Sequence, residues 1–142
     1  MGCAISGVGL GSGFVFVGSD TEGTVAGSAA ETTLCNVTIP ANTVKTRLVI
    51  RAGVAYGSGS AGKSSEFRIK TGTVGAETTK ASTVFYVQTA GSGAFYNGGT
   101  GFQWVETTLA FTGETSVLIT AQNNDNTAGS FACVQQLVIT GH

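Results

Sequence analysis

The sequence predicts an all-β protein: a two-sheet antiparallel sandwich of the jelly-roll type, preceded by a glycine-rich N-terminal arm. Three observations carry this prediction. Apolar and polar residues alternate with a period of two along most of the chain. No window places apolar residues at i, i+3, i+4 and i+7, and the 22 glycines interrupt every candidate helix. About eight such alternating segments are separated by the residues that make turns.

Residues 1–30 read as the arm and residues 31–142 as the sandwich domain. Within MGCAISGVGLGSGFVFVGSDTEGTVAGSAA the one apolar run is Phe14, Val15, Phe16 and Val17. A segment so rich in glycine orders only against something else. These four residues are the candidate interface arm, a short strand able to add to an exposed sheet edge of a neighbouring subunit.

In the sandwich domain, Glu31 to Ile39 alternates Thr33, Cys35, Val37 and Ile39 on one face and stops at Pro40-Ala41-Asn42. Thr46 to Tyr56 follows with Leu48, Ile50, Ala52, Val54 and Tyr56 in phase, then a Gly/Ser-rich loop over 57–64. Glu66 to Thr71 sets Phe67 and Ile69 against Glu66, Arg68 and Lys70, and turns at Thr71–Gly75. The remaining predicted strands are Thr83 to Gln88, Phe102 to Phe111, Ser116 to Gln122 and Gly129 to Thr140. Gln135 breaks the alternation of the last one, which predicts a β-bulge near Gln135-Gln136. The predicted core is Val37, Ile39, Leu48, Ile50, Val54, Phe67, Ile69, Val105, Leu109, Phe111, Leu118, Leu137 and Ile139.

With 142 residues, 42% of them hydrophobic, the chain suits one core, able to bury roughly 68–70% of its unfolded surface. Only 11% of residues are charged and the net charge is -1. A surface so poor in charge calls for cover by copies of itself or by partners. All basic residues fall between Lys45 and Lys80, dispersed rather than in a run. That pattern excludes a nucleic-acid-packaging arm, which needs clustered charge to displace phosphate counterions. No apolar run reaches the ~18 to 20 residues of a membrane span. Gly2 and Ser6 fit a myristoylation pattern with Cys3 beside them, but no basic cluster follows to supply the second membrane signal.

Several motifs resolve into structure rather than chemistry. Gly57, Gly62, Lys63 and Ser64 match the nucleotide-binding P-loop, G-x-x-x-x-G-K-[ST]. A P-loop needs a helix after the glycines to hold phosphate, whereas SSEFRIKTG continues at the period of a strand, so the loop reads as a hairpin connection. Cys3, Cys35 and Cys133 have no metal or redox spacing, and their odd number argues against a disulfide framework; Cys35 and Cys133 read as small core hydrophobes. Asn36-Val37-Thr38 is a glycosylation sequon inside a strand. His142 is the one histidine, at a terminus where fraying is the default, so no Ser-His-Asp or Cys-His arrangement and no histidine-rich metal site can form in one chain. Glu66 and Glu106 are a formally possible glycosidase pair that no spacing selects. The expectation is a protein that is not an enzyme, with no cofactor and no metal.

The segment ETTLCNVTIPANT at 31–43, the strand RLVIRAGVAY, FRIKTGT at 67–73 and the closing TTLAFTGETSVLITAQNN and ACVQQLVIT resemble small β-sandwich virion structural proteins of tailed bacteriophages. The resemblance covers about residues 31–140. It implies a virion component such as a capsid decoration protein, head fibre or tail-associated module, and it supplies no catalytic residues.

The leading functional expectation is therefore a non-enzymatic virion structural protein that associates with copies of itself and with a capsid or tail protein. An alternative is a carbohydrate- or receptor-binding module acting on a host-surface glycan. Its candidate binding loop is Phe95, Tyr96, Asn97, Phe102 and Trp104, where aromatics could stack on sugar faces and the amide could hydrogen-bond; packing in the core or at a subunit interface competes for the same aromatics. A further alternative is a single-jelly-roll capsid subunit, weakened by the lack of a basic arm.

Overall fold

The computed structural model describes residues 4–6, 15–19, 22–23, 31–41, 46–57, 63–87, 102–110, 113–123 and 131–142. These form the strands β1 (Ala4–Ser6), β2 (Val15–Ser19), β3 (Glu22–Gly23), β4 (Thr32–Ile39), β5 (Arg47–Gly57), β6 (Lys63–Gly72), β7 (Thr78–Val87), β8 (Phe102–Ala110), β9 (Thr115–Asn123) and β10 (Phe131–Gly141). No helix among the described residues is long and apolar enough to cross a membrane.

The strands make two antiparallel sheets. One runs β1-β2-β10-β5-β8, with β3 also on β10, and the other runs β4-β9-β6-β7. Considering the eight strands from β2 onward without β3, one sheet holds the first, eighth, third and sixth and the other the second, seventh, fourth and fifth. Consecutive strands thus repeatedly cross between sheets, the double Greek key of a jelly roll. The expected sandwich is the observed architecture.

Alternation explains which residues meet between the sheets. Leu48, Ile50, Ala52 and Val54 of β5 are fully buried, as are Phe67 and Ile69 of β6, Val117, Ile119 and Ala121 of β9 and Ile139 of β10. Phe67 meets Phe85 of β7 edge to face, with ring centroids 5.6 Å apart. Each such buried Leu, Ile or Phe contributes about 1.5–3 kcal/mol before ordering costs.

The predicted bulge is present, with the β10–β5 register shifting between Val134 and Gln136. It lets Ala132 and Val134 before it and Leu137 and Ile139 after it all face the core. Thr71–Gly75 is the predicted turn: the Ala76 amide donates to the Thr73 carbonyl at 2.9 Å. Gly75 has φ +86° and Gly72 +149°, and a Cβ on Gly72 would lie 3.2 Å from the Ala76 carbonyl oxygen. Both positions therefore favour glycine.

Three expectations need correction. Leu118 does not face the core; in the apolar run Val117-Leu118-Ile119 it is the flanking residues that do, because the pairing of β9 with β4 and β6 sets the phase. Cys133 is buried, as expected of a small hydrophobe, on the face of the pleat opposite Ala132 and Val134 of the main core cluster. Cys35 is in the core and is disulfide-bonded, its partner lying outside the described residues; an odd number of cysteines forbids complete pairing, not one bridge. His142 does not fray: its carbonyl accepts from the Thr46 and Arg47 amides at 2.9 and 3.1 Å, and its amide donates to the Arg47 carbonyl at 2.8 Å.

Candidate functional site

Two outward surfaces carry the polar and aromatic chemistry. On β6 the core residues alternate with Glu66, Arg68 and Lys70, so these three project from the outer face of the four-stranded sheet. Glu31, just before β4, reaches over the same face. Its Oε2 accepts from Thr120 Oγ1 at 2.7 Å and from Arg68 Nη1 at 3.1 Å, and its Oε1 accepts from Lys70 Nζ at 3.0 Å. Arg68 Nη2 also donates to Glu66 at 2.6 Å and to Gln122 at 3.1 Å. Partial burial pushes the Glu31 carboxyl up, but the hydrogen bonds from Thr120, Lys70 and Arg68 outweigh it and hold the pKa down at about 2. Nearby, Glu77 accepts from Ser116 Oγ at 2.6 Å and from the Gly75 amide at 3.1 Å, and the Ser116 bond leads in lowering its pKa.

The second surface lies along β7 and β8, the neighbouring edge strands of the two sheets, joined by a hydrogen bond from Thr83 Oγ1 to Gln103 Oε1 at 2.7 Å. Val84 and Tyr86 of β7 and Trp104 of β8 are three of the four large apolar side chains exposed among the described residues. The Arg51 guanidinium sits 4.6 Å from the centre of the Trp104 ring and pairs with Glu106 at 2.8 Å. Arg51 and Glu106 are directly opposite each other across the β5–β8 ladder, so strand register alone brings them together.

The candidate residues are distributed as follows. Val15, Phe16 and Val17 form part of β2 and pair with Thr140, Ile139 and Val138 of β10 in the same chain; Phe14 lies outside the described residues. Of the candidate binding loop, Phe102 opens β8 and Trp104 is outward and part-exposed with Arg51 on its ring. Phe95, Tyr96 and Asn97 lie outside the described residues. Glu66 and Glu106 occupy the outer faces of different sheets, each paired with an arginine. Lys63 and Ser64 open β6, which puts a strand where a P-loop needs a helix. No group of three or more His, Cys, Asp or Glu among the described residues could hold a metal.

Sequence reasoning missed Glu31, Thr120 and the Arg51–Trp104 contact. The Glu66/Arg68/Lys70 alternation marked an outward charged stripe, but nothing local tied it to residues 31 and 120.

No protein-family model matches the chain, and no curated protein matches it. Among solved structures, the crystal structure of the infectious bursal disease virus VP2 subviral particle is similar with a TM-score of 0.59 at 15% identity, over 93% of this chain. The match takes in 33% of the VP2 chain, so this chain spans about a third of its length. The likeness is one of fold.

Proposed function

We propose that this chain is a non-enzymatic structural component of a virus particle that associates with copies of itself and attaches to the particle, as a capsid decoration, head-fibre or tail-associated module. The observation that carries the reading is the jelly-roll strand order of this chain, together with a likeness of fold, over 93% of the chain, to a protein of a subviral particle. The charge-poor composition and the aromatic β7–β8 rim support it, since such surfaces are typical of molecules that are covered in use. Size-exclusion chromatography with light scattering tests it: a defined oligomer is expected, and a strict monomer up to high micromolar concentration speaks against it.

A second reading, a single-jelly-roll capsid subunit, draws on the same likeness. Cryo-imaging of the particle separates the two, as a continuous shell of this chain or as copies resting on another protein's shell. The glycan-binding reading of Trp104 is less favoured, because Arg51 already occupies one face of the ring.

A further inference from the structure

Cys35 is bonded to a second cysteine, and the sequence has only Cys3 and Cys133 to offer. Cys35 faces the interior from β4, in the core cluster and at 1% exposure. Cys133 belongs to the other sheet, on the face of β10 turned away from Ala132, Val134 and the core. A disulfide needs Cα atoms within about 7 Å and Cβ atoms that point at one another. Packed sheets stand about 10 Å apart and Cys133 points away from the gap between them, so it meets neither condition. Cys3 remains.

The strand order is compatible with that partner. β7 and β8 each end a sheet and are joined side by side through Thr83 and Gln103. The opposite ends of the two sheets, β4 in one and β1 in the other, therefore share the far flank of the sandwich, and Cys3 directly precedes Ala4, the first residue of β1. β2 and β3 already pair with β10 of the same chain. A bond from Cys3 to Cys35 encloses β1, β2 and β3 in one covalent loop. These strands are three, five and two residues long, and such short edge strands open at low free energy. Closing the loop removes most of the unattached arrangements open to them.

We infer that Cys3 and Cys35 form a redox-dependent clasp that fixes the N-terminal strands to their own sandwich in oxidising surroundings and releases them in reducing ones, independently of the self-association proposed above. Closure breaks two S–H bonds and forms one S–S bond. The two electrons and two protons pass to a small-molecule disulfide such as oxidised glutathione, which leaves as two thiols. The test takes the full chain equilibrated with oxidised glutathione and alkylated. Its monomer band from a non-reducing gel is digested with a protease that cuts after glutamate, which separates Cys3 from Cys35 at Glu22 and Glu31. Mass spectrometry should find peptide 1–22 linked to peptide 32–66, and reduction should part them. Reduction of the full chain, or Cys3→Ser, should lower the melting temperature by roughly 10 °C. Either should also speed hydrogen exchange of the Val15–Ser19 amides about tenfold, leaving those of β5 protected. A bridge from Cys35 to the peptide that carries Cys133, no bridge in the oxidised monomer, or unchanged exchange of Val15–Ser19 in Cys3→Ser overturns the inference.

Discussion

Across the outer face of the four-stranded sheet, Glu31, Glu66, Arg68 and Lys70 bind one another and are bridged to Thr120 and Gln122. Across the outer face of the six-stranded sheet, Arg51 and Glu106 make one solvent-exposed pair beside a part-exposed tryptophan. Both faces have a polar row on a β-strand ladder, but the first consumes its own charges and the second leaves surface to be covered. A face whose donors and acceptors are matched internally gains little from a protein partner, because docking would desolvate the network. The exposed Trp104 on the second face gains from losing water, as do Val84 and Tyr86 along the β7 edge of the first, where Val84 stands opposite Glu66. On the proposed reading, contacts with other molecules would lie on the β7–β8 side and at the edge occupied by β1–β3.

The largest effect that could break this contrast concerns that edge. Deleting residues 1–25 removes β1–β3 and uncovers the edge of β10. The truncated chain is expected to remain folded by circular dichroism and to lose self-association by light scattering. Association equal to that of the full chain would show that the arm is not the connector.

Next in size is the Glu31 network. With a folded-state pKa near 2, below the unfolded value of 4.5, Glu31 contributes stability that is fully present above about pH 5 and lost as pH falls through 2. Glu31→Gln should cost about 1–3 kcal/mol in urea melts at pH 7 and should flatten the pH dependence between 5 and 2. An unchanged acid limb would refute the network's role.

Smaller still should be the stability effects on the rim. Trp104→Ala and Tyr86→Ser are expected to cost under about 1 kcal/mol, as at part-exposed sites, while weakening self-association at least tenfold by light-scattering dilution. A double-mutant cycle on Arg51 and Glu106 should return a coupling of about 0.2–1 kcal/mol, the range for exposed pairs; the Glu31–Arg68 cycle should exceed it. Smallest of all, Lys63→Ala should change stability by about 0.5 kcal/mol or less, with no thermal shift from ATP or GTP in either form. A nucleotide-dependent rise abolished by the substitution would reinstate the P-loop.

What the sequence conveyed follows from the range of the interactions involved. The long strands of the sandwich were legible because one face of each is buried, which writes period two into the chain; even the bulge at Gln135 was visible as a break in that period. The start of β7 was not, since Thr78-Thr79-Lys80 is polar and is held in a strand by pairing with β6. β1 and β3 are two or three residues long, too short for any period. Leu118 was misplaced because a run apolar on both sides has no phase of its own. Most contacts of the Glu31 network join residues 37 to 89 positions apart, and only the folded sheet brings those together.

The order of the strands has a kinetic consequence. β10 is the last strand in sequence, yet it is the inner strand that joins β2 to β5. During synthesis β2 and β5 therefore emerge without the strand that lies between them, and the larger sheet closes only when residues 131–141 arrive. Such late, long-range closure makes for slow folding and leaves strand edges open in the meantime. Nascent chains stalled before residue 131 are the species in which strands of neighbouring copies can pair wrongly.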